Sequence, residues 1–151
     1  MFNFGINTGL RVSDIVPLQV SDIRGKTHLT IKEQKTAKSK RFAIPKALRQ
    51  EIEEYTRGMD SGEYLFASRK GNGYISTTQA YRALQKAADA LGRNDIGTHT
   101  MRKTFGYHHY KRNKDVAMLQ QLFNHAAPSI TLRYIGITND EIDATLEDFS
   151  L

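Results

Sequence analysis

The stretch HLTIKEQKTAKSKRFAIP, residues 28–45, alternates with a period of two. From His28 to Glu33, Leu29 and Ile31 fall on one side and Thr30 and Lys32 on the other, the pattern of a half-buried strand. Arg41 to Ile44 can pair with it, and the polar KTAKSK segment between them reads as a hairpin tip. Both flanks are short, so the sheet is small.

Outward from the hairpin the period becomes helical. Residues 2–10 suit a short helix or its last turns ending near Gly9, and Ser13 is expected to cap a short helix from Asp14 that Pro17 ends or kinks. Pro45 opens a helix carrying Leu48, Ile52 and Tyr55, which stops at Gly58. Tyr64–Phe66 reads as a short strand before an RKGNG loop. Ser76 and Gln79 form a capping box for a helix with Ala80, Leu84, Ala87 and Leu91 on one face. Thr100–Lys111 and Asp115–Phe123 are two more helices, and Asn124 fits a left-handed position after the second. Pro128–Ile135 is a short helix, and Asp140–Phe149 an amphipathic one aligning Ile142, Leu146 and Phe149. The expected class is α+β: a mostly helical bundle with a small antiparallel sheet.

Composition sets the outer bounds. At 151 residues, 39% hydrophobic and 25% charged, the chain suits one folded domain, expected to span 1–151. It has no cysteine, which excludes disulfides and cysteine-ligated zinc and fits a reducing cytoplasm. No apolar run is long enough to span a membrane, and MFNFGINTGLR lacks the layout of a secretory signal. Lys and Arg outnumber Asp and Glu by 22 to 16, a net charge of +6, which points to an anionic partner such as nucleic acid. The basic residues crowd into residues 32–49 and 102–114, whereas residues 140–148 are acidic.

Three separated segments carry candidate chemistry: Thr8-Gly9-Leu10-Arg11 with Asp14, His99-Thr100-Met101-Arg102, and Asn124-His125 with Tyr134 nine residues beyond His125. Each alone has a bland reading, as a surface ion pair, a solvated helix face or a packed tyrosine. Two positioned guanidiniums are what a phosphodiester transition state needs, because charge grows on its non-bridging oxygens. A phenol with a pKa near 10 is only about one part in a thousand ionised at pH 7, so it needs a base to act as a nucleophile.

With Lys35 in the hairpin, these segments resemble the tyrosine recombinase, or phage integrase, family. The order Arg, Lys, His-x-x-Arg, His, Tyr is kept, as are the TGLR stretch and its acidic residue Asp14. The resemblance implies a DNA strand transferase that cleaves and rejoins double-stranded DNA through a 3′-phosphotyrosyl link, needing no metal, ATP or redox cofactor. It implies Tyr134 as nucleophile, Arg11 and Arg102 on the phosphate, His99 as base or proton relay, His125 as a phosphate hydrogen-bond donor and Asp14 as a brace. Lys35 matches the family's acid best, with Lys38 and Lys40 close enough to leave that assignment open. Lys38, Lys40, Arg41 and Lys103 are candidate DNA backbone contacts. Asn124 and Lys103 depart from the glycine and second histidine common at those places.

The resemblance also carries expectations about organisation. The chain starts close to Arg11, so it is expected to be a C-terminal fragment without the family's DNA-clamping domain, binding DNA weakly and in a salt-sensitive way. The stripe in segment 139–151 packs on its own domain or joins a neighbouring copy. Two other readings remain at this level: relaxation of DNA in the manner of a type IB topoisomerase, and a catalytically silent DNA-binding remnant. A metal site is disfavoured, because no helix carries a His-x-x-x-His pair.

Overall fold

A computed structural model describes residues 1–35, 37–138, 141, 143–144, 146–147 and 149–150. The hairpin forms, with its second strand starting two residues earlier than Arg41 and ending at Ala43. Strand β1 (His28–Lys32) pairs antiparallel with β2 (Ser39–Ala43), with Leu29 opposite Phe42 and Ile31 opposite Lys40. Leu29 and Ile31 are buried while Thr30 and Lys32 are exposed, and burying two such side chains contributes roughly 1.5–3 kcal/mol each.

Helices surround the hairpin in the chain: α1 (Phe2–Thr8), α2 (Val12–Ile15) and α3 (Val20–Ile23) before it, then α4 (Lys46–Tyr55), α5 (Thr77–Asp89), α6 (Thr100–Asn113), α7 (Val116–Phe123) and α8 (Pro128–Ile135). The described residues group into two compact units, Met1–Arg102 and Lys103–Leu151. The first turn of α6 belongs to the first unit and the rest to the second.

In the first unit, one apolar cluster joins the hairpin (Leu29, Ile31) to Leu10, Ile15, Leu48 and Ile52, and a second joins Val12 and Val16 of the α2 region to Ala80, Leu84 and Met101. The Arg24 guanidinium ties the end of α4 down: it donates to the Thr56 hydroxyl and carbonyl and, at 2.8 Å, to the Met59 carbonyl. Carbonyls at a helix C-terminus lack intrahelical partners, and an arginine fork satisfies several at once. The core of the second unit is Leu119, Phe123, Ile135 and Ile137, flanked by Phe105, Leu132 and Tyr134.

Several local expectations need correction. Ser13 is no cap: Gly9 already turns the chain, so Arg11 becomes the N-cap and α2 starts at Val12. Helix α3 was not expected, because four residues are too few to show a period. Its signature is the Gln19–Asp22 capping box, with the Gln19 N–H donating to Asp22 Oδ2 at 2.8 Å. Tyr64–Phe66 is not a strand; it lies between single bridges, Gln19 to Tyr64 and Ala67 to Tyr74. In α5 the buried row is Ala80, Leu84 and Ala88, a strict four-residue step, and Leu91 beyond the helix end is 76% exposed. Tyr55 leaves its ring exposed and donates its hydroxyl to the Leu65 carbonyl. The expected helix at Asp140–Phe149 involves Asp140, Ile142, Thr145 and Asp148, which lie outside the described residues. Leu146 and Phe149 are exposed.

Candidate active site

Glycine builds the turn that carries the first arginine. Gly9 ends α1 in the left-handed region (φ 63°, ψ 17°), where a side chain is disfavoured. The chain then reverses, buries Leu10 and presents Arg11 in extended backbone (φ −71°, ψ 148°) at the start of α2. The Gly9 carbonyl accepts a hydrogen bond from Arg102 Nη1 at 2.6 Å, across 93 positions of sequence. Arg102 is 2% exposed, and a buried guanidinium requires such acceptors. One turn therefore positions both arginines.

Two buried carboxylates hold Arg11. Its Nη1 lies 3.0 Å from Glu33 Oε1 and 3.9 Å from Asp14 Oδ2. Asp14 also accepts the Gln34 N–H at 2.9 Å through Oδ1, which ties α2 to the hairpin just beyond β1. Glu33 caps the hairpin tip with its backbone: its N–H donates to the Lys38 carbonyl, and its carbonyl accepts from Ala37.

Of the three hairpin lysines, Lys35 and Lys38 are exposed and Lys40 is partly buried. Burial pushes the Lys40 ammonium down from its ordinary 10.5 to about 8. Arg102 and Arg11 push the same way, and Glu33 and Asp14 oppose them. A cleft of about 360 Å³ opens over Arg11, Ser13, Thr77, His99 and Arg102. His99 is exposed on its rim, in a turn where the Gly97 N–H donates to Thr100 Oγ1 at 2.8 Å as α6 begins.

The second unit carries the tyrosine. Asn124 takes the left-handed conformation (φ 54°, ψ 44°) that ends α7 and turns the chain to His125. His125 Nδ1 lies 3.0 Å from the hydroxyl of the fully buried Thr131, one turn before Tyr134 on α8. The Gln120 side chain holds the His125 carbonyl at 3.1 Å. The Tyr134 ring meets His125 edge-on at 5.2 Å between centroids and Phe123 at 5.6 Å. Lys103 Nζ stands 5.8 Å from the Tyr134 ring centroid, within reach of a cation–π contact.

The first unit thus gathers Arg11, Asp14, His99 and Arg102, and the second gathers Lys103, His125 and Tyr134. Lys35 sits on the exposed hairpin tip, and Arg41 on the exposed face of β2. The reading of the sequence passed over Glu33, although the signal was present: the alternation that buries Leu29 and Ile31 puts Glu33 on the same face. Among the described residues no group of three His, Asp or Glu is placed to hold a metal ion. No helix among them is long and apolar enough to cross a membrane.

The sequence model of the phage integrase family matches residues 1–141. This chain belongs to that family. It is 54% identical over 149 residues to the probable integrase/recombinase YoeC of Bacillus subtilis, covering 99% of this chain and 82% of that protein. It is 32% identical over 148 residues to the tyrosine recombinase XerA of Pyrococcus furiosus, covering 95% of this chain but 51% of XerA. A crystal structure of XerA recombinase superimposes with a TM-score of 0.76 at 20% identity, over 94% of this chain and 54% of that one. The Tn1549 transposon integrase in complex with circular intermediate DNA gives 0.75 at 16% identity, over 99% and 58%. The fold is therefore that of the recombinase catalytic region, and the chain spans about half the length of several relatives it matches.

Proposed function

We propose that this chain carries the strand-exchange chemistry of a site-specific DNA recombinase of the integrase type, acting on double-stranded DNA through a 3′-phosphotyrosyl link. The Tyr134 hydroxyl attacks the phosphorus of a phosphodiester, the bond from phosphorus to the 5′ oxygen breaks, and the tyrosine proton passes to His99. Arg11 and Arg102 stabilise the charge that grows on the non-bridging oxygens, and His125 donates to the same phosphate. A hairpin lysine (Lys35, Lys38 or Lys40) protonates the departing oxygen. One phosphoester replaces another, so the step balances without ATP or an electron carrier.

The observation that carries this reading is the 2.6 Å bond from Arg102 to the Gly9 carbonyl, which brings the TGLR and His-x-x-Arg segments to one cleft. The relatives' names, and neighbours solved with substrate or intermediate DNA, support DNA as the partner. The test is a nicked suicide duplex, drawn from a randomised pool by covalent capture, which traps the adduct when a short strand diffuses away. Wild type forms a protein–DNA adduct whose peptide maps to Tyr134, and Tyr134→Phe forms none. Removing either arginine slows trapping by about two to three decades. DNA binding with no adduct would leave a silent binding module, and sequence-indifferent relaxation of supercoils would favour the topoisomerase reading.

A further inference from the structure

Thr8, Thr56 and Thr131 are buried, and their hydroxyls are used in two ways. Thr8 and Thr56 donate to the carbonyl four residues back, those of Phe4 and Ile52, each at 2.7 Å. That is a common habit of a threonine in a helix. It leaves their oxygens to accept, from the Leu10 N–H at 3.4 Å and from Arg24 Nε at 3.0 Å. Thr131 on α8 departs from this habit. It is 0% exposed, and among the described residues its hydroxyl has one partner, His125 Nδ1 at 3.0 Å.

That single partner decides where the imidazole proton sits. A hydroxyl carries one proton, and burying it with no acceptor forfeits the hydrogen bonds that water gave it. His125 Nδ1 is the acceptor in reach, so Nδ1 is bare and the proton of the neutral ring lies on Nε2. The reverse arrangement, with Nδ1–H donating to Thr131 Oγ1, strands the hydroxyl proton, and so does a ring protonated on both nitrogens. Other contacts fix the ring without choosing between its nitrogens. The His125 N–H donates to the Gln120 carbonyl at 3.1 Å, and the His125 carbonyl accepts the Gln120 side-chain amide, also at 3.1 Å. The rings of Phe123 and Tyr134 pack at 5.3 and 5.2 Å between centroids.

We propose that Thr131 is a positioning residue for His125: its hydroxyl donates to Nδ1 and so presents Nε2–H as the donor to the phosphate. The phosphate rests on the strand-exchange reading above, whereas the tautomer stands on the hydroxyl geometry. His125 then keeps its proton throughout the reaction and stabilises charge as a neutral donor. Thr131 lies one turn before Tyr134 on α8, so one short helix carries both the nucleophile of that reading and the group that sets the tautomer.

Nitrogen-15 NMR of the histidine-labelled chain reads the tautomer, because protonated and bare ring nitrogens resonate far apart. The chain has five histidines, and His125→Ala assigns the His125 signals by their loss. At about pH 8, above the ordinary histidine range, His125 should show a protonated Nε2 and a bare Nδ1. A protonated Nδ1 in wild type overturns the proposal. This measurement needs no Thr131 variant, so it decides even if valine is not tolerated at that position. Adduct trapping tests the positioning. Thr131→Val keeps the shape and loses the hydroxyl, and should slow trapping about 10- to 100-fold, part of the two to three decades that a lost donor costs. Thr131→Ser, which keeps the hydroxyl, should restore most of the rate. In a His125→Ala background Thr131→Val should cost nothing more, since a residue that acts through another has no effect once that one is gone. Equal slowing by Thr131→Val in both backgrounds marks a merely structural role and overturns the proposal, as does a wild-type rate for Thr131→Val. If wild type gives no Tyr134-dependent adduct, the strand-exchange reading fails, and the NMR measurement still decides the tautomer.

Discussion

Gly106 sits on α6 inside the second unit, and the space around it is already taken. A Cβ at that position would lie 2.6 Å from Ile135 Cγ2 and 2.8 Å from two ring carbons of Phe123. Both neighbours are buried, at 5% and 1% exposure, and ordinary carbon contacts need about 3.5–4.0 Å. Gly106→Ala therefore forces a rigid ring and a β-branched side chain apart by up to roughly an ångström. Three contacts under 3 Å with buried, stiff neighbours put the cost in the upper part of the overpacking range, about 2–3 kcal/mol, and the gain in helix propensity returns about 1. The net expectation is a loss of about 1–2 kcal/mol, or some 2–8 °C in Tm for a chain of this size. Ile135 adjoins Tyr134 on α8, so the displacement also reaches the proposed nucleophile, and adduct formation should fall more than the lost folded fraction explains. Thermal unfolding with adduct trapping at a temperature where both proteins are folded measures the two effects. A variant with unchanged or raised Tm, cleaving like wild type, would refute the packing argument. Gly5 differs in its neighbour: its added Cβ would meet Met101 at 2.5 Å from Sδ, 3.0 Å from Cβ and 3.1 Å from Cε, and a thioether end can rotate where a ring cannot.

Lys40→Met should stabilise the fold near neutral pH. The folded ammonium titrates at about 8 and the free one at 10.5, so below 8 both states hold the proton and the native state bears the cost of burying it. The full shift is worth on the order of 3 kcal/mol, reduced to about 1–2 because part of the side chain reaches solvent. Between pH 8 and 10.5 the unfolded chain binds the extra proton, wild-type stability rises with pH, and the variant's advantage should shrink. Urea titrations of both proteins at pH 7 and pH 9.5 read this directly, and a gap that stays constant between them contradicts it. Asn124→Ala should cost about 1–2 kcal/mol, because alanine pays for the left-handed backbone (φ 54°), whereas Asn124→Gly should lose nothing in the same melts.

Helix ends were legible because their chemistry is local. The Ser76–Gln79 box, the left-handed Asn124 and Pro128 at the head of α8 all stand where their residue types put them. Ser13 failed for the opposite reason: its capping preference was real, but the turn at Gly9 gave the N-cap to Arg11 and left Ser13 lining the cleft. The order of candidate site residues was readable as a motif. The Glu33 partner of Arg11 was not, because Glu33 looks like the polar end of a hairpin strand until the register is known. Once Leu29 and Ile31 face inward, period two carries Glu33 inward as well.

The burial of Glu33 and Asp14 makes sense only if orientation outweighs stability. Buried ion pairs are often no more stabilising than apolar residues of the same volume, since each charge gives up its water. Here the carboxylates neutralise much of the repulsion among three cations while fixing Arg11 in place. Burial first, and then the neighbouring Arg102 and Arg11 charges, lower the proton affinity of the Lys40 ammonium in the free protein, against the opposing pull of Glu33 and Asp14. A phosphodiester bound over these cations would supply a negative charge and raise that affinity. In the second unit the Tyr134 ring packs edge-on against His125 and Phe123 and has the Lys103 ammonium within cation–π reach.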